Sequence, residues 1–122
     1  MEEAIAYARQ RSAFGQTLAG FQAIQFMIAD MSAQIEAARL LVRRAAWLKD
    51  QGRSVAREAA EAKLFASEMA ARVTTDALQI HGAYGYSKEF TIERLYRDVR
   101  VYQIWEGASQ IQRTVIARRL LR

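Results

Sequence analysis

Between Phe21 and Gln51 the apolar side chains fall at Ile24, Met27 and Ile28, Met31, Ile35, Ala38, Val42, Ala45 and Leu48. Steps alternating between three and four, sustained over so long a stretch, fit one structure: a long amphipathic helix with a single buried stripe. Nothing opposes it, because the 122-residue chain contains no proline to remove a backbone donor or kink a helix. Gly52 stands where a helix-ending glycine belongs, and Ser54 is placed to cap the helix that follows. The second stripe runs Val55, Ala59, Ala62, Ala66, Met69, Val73, Ala77 and Ile80. Its many alanines predict two long helices packed closely and antiparallel across a short turn.

The remaining elements are shorter. The stretch HGAYGYSKEF (81–90), with two glycines and two tyrosines, reads as a structured irregular loop. A helix is expected over Thr91–Arg100, with Ile92, Leu95, Tyr96 and Val99 on one face. Another is expected from Ala108 to Leu121, with Ile111 and Val115 inward. RSAFGQTLAGFQ (11–22) is a glycine-bearing connector, and the opening MEEAIAYARQR is helical from its second residue. With no strand pattern and no repeat, the fold expected for residues 1–122 is one all-α domain, an up-down four-helix bundle. A helix that starts so abruptly predicts a chain cut from a longer protein.

The residue inventory narrows the chemistry. There is no cysteine, so neither disulfides nor thiolates are available. His81 is the one histidine. That rules out a di-metal bundle built from Glu-x-x-His pairs and a Cys/His zinc site, and no metal is expected. Within its glycine loop His81 reads as a hydrogen-bonded structural residue. Glycine-rich dinucleotide and Walker motifs are missing, and no run suits a membrane span or a signal peptide. The net charge of +5 favours an anionic partner. Its eighteen basic residues are nevertheless interleaved with thirteen acids, without the stripe that nucleic acid would require.

One carboxylate is unusually placed. Glu106 lies between Trp105 and Gly107, just before the last helix. Acids at helix starts are commonplace, worth roughly 0.3–1 kcal/mol against the dipole. The alternative is a general base, desolvated by the aromatic ring and made approachable by the glycine. Burial would raise its pKa and the helix terminus would lower it.

Taken together, R-x-x-F-G (Arg11–Gly15), Phe21-Gln22, LQIHGAYGY (78–86), Arg97-Asp98 and YQIWEGASQIQR (102–113) resemble the C-terminal helical domain of acyl-CoA dehydrogenases. The order and spacing match along the whole chain, which corresponds to about the last third of a typical member. The N-terminal helical domain and the middle β domain are absent from it. The resemblance implies that Glu106 removes the α-proton of an acyl-CoA thioester, as in the short- and medium-chain type of arrangement. Its backbone N–H would donate to the thioester carbonyl. Trp105 would wall the pocket and Gly107 would leave room for the thioester. Arg118 would lie near the nucleotide end of CoA.

The same resemblance implies FAD as cofactor. Arg11, Phe14, Gln22, Gln79, Gly82 and Ala83 would meet the FAD of a neighbouring subunit. Ala108, Ser109 and Gln110 would meet the flavin nucleotide bound mainly by the same chain. Ala83 replaces a customary glycine and would restrict the loop if it needed positive φ; Ala108 replaces a customary threonine. Arg97 and Asp98 read as a structural ion pair, and for Phe14 the plain alternative to a cofactor contact is core packing. A homodimer or homotetramer, an electron-transferring flavoprotein as electron acceptor, and a place in fatty-acid β-oxidation are implied too. The implied location is the cytoplasm of a bacterium, or the mitochondrial matrix in a eukaryote. No nucleic acid or membrane is expected as partner. The alternative reading is a non-catalytic helical oligomerisation module derived from that family. Apolar residues off the two stripes, Phe26, Leu41, Trp47, Leu64 and Phe65, predict an interface through the long helices.

Overall fold

The computed structural model describes residues 1–122. Five α-helices account for most of the chain: α1 Glu2–Gln10, α2 Gln22–Asp50, α3 Ala56–His81, α4 Thr91–Val99 and α5 Ser109–Leu120. Short 3₁₀ turns cover Leu18–Gly20, Gly82–Tyr86 and Arg100–Gln103. The helical bundle matches the all-α expectation, with α1 as an additional helix. A small antiparallel hairpin also appears where no strand was foreseen: β1 (Ser12–Ala13) against β2 (Gln16–Thr17). Both of its turn residues, Phe14 and Gly15, have positive φ, the geometry that two-residue hairpins favour.

Helix α3 is the hub, packing against α1, α2, α4 and α5. The α2–α3 connection follows the sequence closely. Gly52 adopts φ +70, and the Arg53 and Gly52 N–H groups bond back to the carbonyls of Leu48 and Lys49, closing a Schellman motif. Ser54 makes no cap; Val55 holds the N-cap position of α3 without any side-chain hydrogen bond.

The core is small and rich in alanine. Ala4 and Ala8 of α1, Met31 of α2, Val73, Ala77 and Ile80 of α3, and Ile92 of α4 form one buried cluster. The alanines let α1 and α2 lie close to α3. Some stripe positions are not buried. Val42, Ile111, Leu95 and Tyr96 are exposed, and so is Ala59; in their place Ala60, Ser67 and Ser109 are buried. Arg97 pairs with Glu93, one turn back on α4, and not with Asp98. An i,i+4 partner lies on the same helix face, whereas the next residue does not. Phe26, Leu40, Trp47 and Phe65 also face outward. No helix is long and apolar enough to cross a membrane.

Candidate functional site

The segment between α4 and α5 is built to present a turn. Ile92 and Val99 anchor α4 in the core. The chain then tightens, with the Ile104 and Trp105 N–H groups both bonding the Val101 carbonyl. Next come two consecutive left-handed residues, Glu106 at φ +52 and Gly107 at φ +88. Gly107 adopts this conformation freely. For glutamate it costs roughly 1–2 kcal/mol, and such strain persists only where surrounding structure enforces it.

Helix α3 supplies that enforcement. Lys63 Nζ donates to the Gly107 carbonyl at 2.7 Å, and Gln112 Nε2 reaches the same oxygen at 3.0 Å. Five residues further along α3, Glu68 accepts from Ser109 Oγ at 2.6 Å and from Gln103 Nε2 at 2.7 Å. The Ser109 hydroxyl holds the Glu68 carboxyl below its ordinary range; the Gln103 amide and the Arg113 and Arg100 guanidiniums act in the same direction, against burial. Both flanks of Glu106 are therefore pinned to one rigid helix.

Glu106 itself is left free. It is exposed, its carboxylate bonds to nothing in the chain, and its N–H has no acceptor. Nor is it a helix-start acid, because the first turn of α5 contains no acidic residue. Trp105 packs edge-on against Tyr102 at 5.5 Å and remains 50% exposed. Desolvation of Glu106 by Trp105, expected from their adjacency, is thus not achieved within this chain. Ala108 is the N-cap of α5 and offers no side-chain bond. Ser109 is buried with its hydroxyl committed to Glu68, while Gln110 is exposed beside it. Arg118, in the last turn of α5, is exposed as well.

A second group of candidates gathers where α1, the hairpin and the end of α3 meet. The Arg11 guanidinium lies over the Tyr84 ring, 5.3 Å from its centroid, and pairs with no carboxylate. Phe14 is 97% exposed, touching Phe21 edge-on, which sets aside the alternative of core packing. Gln22 and Gln79 are exposed. Gly82 carries the left-handed conformation of the loop at φ +58 with open space where a side chain would sit, so Ala83, whose φ is negative, leaves the loop unrestricted. His81 is buried at the end of α3. Its Nδ1 lies 2.7 Å from the Ala77 carbonyl and its ring stacks on Tyr7, a structural role as expected, on a helix end and not in the loop.

The two groups are distinct. Sixteen residues of α3 separate Lys63 from Gln79, about 24 Å of helix. Sequence reasoning missed Lys63, Glu68 and Gln112. The available signal was a cation and an acid flanking the apolar stripe of α3, in the run AKLFASEMA (62–70). The requirement for Gly85 was also missed: a Cβ there would lie 2.7 Å from the Leu78 carbonyl oxygen.

Comparison with known proteins gives a consistent result. The profile of the family described as acyl-CoA dehydrogenase, C-terminal domain, matches residues 1–121. The chain is 54% identical over its whole length to the probable acyl-CoA dehydrogenase YngJ of Bacillus subtilis. It is 52% identical, also over its whole length, to the caffeyl-CoA reductase-Etf complex subunit CarC of Acetobacterium woodii. It spans 32% of the length of each. The structure of butyryl-CoA dehydrogenase from Megasphaera elsdenii superposes with a TM-score of 0.97 at 48% identity, covering 99% of this chain and 32% of that one.

Proposed function

Because this chain belongs to the acyl-CoA dehydrogenase family, as its C-terminal domain, we propose that it supplies the catalytic base of an FAD-dependent acyl-CoA dehydrogenase. The observation that carries this reading is Glu106: left-handed, exposed, without a partner for either its carboxylate or its N–H, on a turn clamped from both sides. A carboxylate held this way is available to take the α-proton of a thioester. The free Glu106 N–H is available to the thioester oxygen as negative charge develops there. The α-C–H electron pair then delocalises into the carbonyl while the carboxylate becomes the acid. Trp105 and Tyr102 offer apolar surface beside that turn, Gly107 makes room for the Gln112 side chain, which a Cβ there would meet at 2.5 Å, and the exposed Arg118 is available to anionic groups of CoA.

The donor set fits FAD. Arg11 is an unpaired cation on an aromatic base, and Gln22, Gln79 and the open backbone at Gly82 lie exposed at the start of α2 and the end of α3. This is chemistry suited to a dinucleotide pyrophosphate. At the other group, the unpaired first-turn N–H groups of α5 favour an anion, with Gln110 beside them. Ala108 contributes backbone alone, and so does Ser109. Bound FAD would supply the acceptor for the β-hydrogen, leaving as hydride. Separation of the groups along α3 supports their serving two different cofactors, hence a homodimer or homotetramer. The groove lined by Leu41, Leu64, Phe65 and Ile116 supports the same assembly. The Acetobacterium relative's naming as an Etf-complex subunit supports an electron-transferring flavoprotein as acceptor.

The test is Glu106→Gln in the full-length gene product. The amide keeps the shape and loses the base, and loss of a general base typically costs about 10²–10⁴-fold. Flavin bleaching by substrate should be abolished while FAD and acyl-CoA remain bound. Near-normal bleaching would remove Glu106 from the reaction.

A further inference from the structure

Catalytic carboxylates are usually oriented by hydrogen bonds to their own oxygens. Glu106 has none in this chain. Its direction is set by backbone alone, through a turn whose left-handed φ glutamate does not favour. The question is which groups set that backbone.

Three side chains determine it. The Lys63 ammonium fixes the orientation of the peptide that follows Gly107, at 2.7 Å from its carbonyl oxygen. The Glu68 carboxylate holds Ser109, three residues after Glu106, and Gln103, three residues before it. Gln112 adds a neutral bond to the Gly107 oxygen and a longer one to the Glu106 oxygen at 3.3 Å. Lys63 and Glu68 both belong to the most heavily packed helix in the molecule and reach the 103–109 segment from two different directions. Lys63 is partly buried, so its bond is screened less than a surface pair. A charge-assisted bond of this kind is about twice as strong as a neutral one, which makes Lys63 the dominant restraint on the Gly107 carbonyl.

We infer that Lys63, seconded by Glu68, is a positioning residue for the base: it holds the 106–107 turn in its left-handed form and so aims the Glu106 carboxylate. This rests on Glu106 being the base. Lys63 touches neither substrate nor proton in this scheme. Removing it leaves Gln112 as sole donor to the Gly107 oxygen, and the turn can relax towards ordinary φ. Misplacement of a reacting group by about 1 Å can cost on the order of 10²-fold in rate.

The experiment compares Lys63→Met, Lys63→Arg, Glu68→Gln and Glu106→Gln in the full-length gene product loaded with FAD, with butyryl-CoA as probe substrate. Expected for Lys63→Met is a kcat reduced about 10–100-fold with KM changed less than about 3-fold. A larger α-deuterium isotope effect should accompany it, because proton abstraction becomes more limiting. Lys63→Arg, which can still donate to the Gly107 oxygen, should recover most of the rate, and Glu68→Gln should fall between. If Lys63→Met fails to fold, Glu68→Gln decides the matter. Rates and isotope effects at wild-type level in Lys63→Met and Glu68→Gln, beside an inactive Glu106→Gln, would overturn the positioning role and leave the base intact. An active Glu106→Gln would overturn the base reading itself.

Discussion

Replacing Glu106 by glycine should make the domain more stable while removing the proposed base. Glutamate at φ +52 carries a left-handed penalty of roughly 1–2 kcal/mol. The side chain is exposed and makes no bond within the chain, so little packing is lost. Against the relief stands the extra freedom glycine gives the unfolded chain, about 0.4–1 kcal/mol. The balance is centred on a gain of about 0.8 kcal/mol, a rise in Tm of about 2–5 °C for a chain of this size. Glu106→Ala is the control, since it removes the charge but keeps the Cβ that causes the strain, and its Tm should stay near that of the parent. Thermal unfolding of residues 1–122, followed by circular dichroism, measures all three. A glycine variant that melts no higher than the alanine variant would refute the reasoning, because the left-handed turn would then carry no strain.

Other outcomes follow from the same geometry. Ala108→Ser should give α5 the N-cap it lacks and raise stability by about 0.5–2 kcal/mol in denaturant unfolding. Phe65→Glu, in the groove with Leu41 and Ile116, should shift the protein towards monomer in sedimentation without loss of helix signal. Glu58, Glu68 and Glu93 have lowered pKa values, through the backbone bond within Glu58, the Ser109 hydroxyl and the Arg97 guanidinium respectively. The stability they contribute should be complete above about pH 4.5 and be lost as pH falls through their lower folded values; unfolding midpoints measured from pH 6 to 3 would show it. Residues 1–122 alone should bind FAD weakly in a visible-absorbance titration, because the two donor groups sit far apart on α3.

What the sequence conveyed and what it hid divide along a physical line. The α2–α3 hairpin was legible because helical periodicity and a left-handed glycine are local properties, and Gly52 behaves as its position demanded. Ser54 misled because capping depends on where α3 begins, and that boundary fell one residue later. Val42 and Ile111 fitted an inward stripe yet face outward, since a helix in this bundle has more apolar surface than one core can cover. Glu106 was legible as an unusual acid from its neighbours, but its left-handed backbone was not. The Lys63 and Glu68 contacts join residues more than thirty positions apart in the chain, and no local pattern encodes them. Residue type left Phe14 open between core and cofactor contact, and the hairpin turn places it outward.

Helix α3 also acts as a ruler. Lys63 and Gln79 are sixteen residues apart on it, about four and a half turns, which leaves them on nearly opposite faces. An α-helix cannot stretch to absorb an added residue. One residue inserted near Thr74 would lengthen the separation by about 1.5 Å and swing one donor group about 100° around the axis relative to the other. Both groups would survive as sequence, but their relative orientation would be lost. The spacing between these stations is thus quantised, and on the proposed reading the residue count of α3 belongs to the geometry of the two sites.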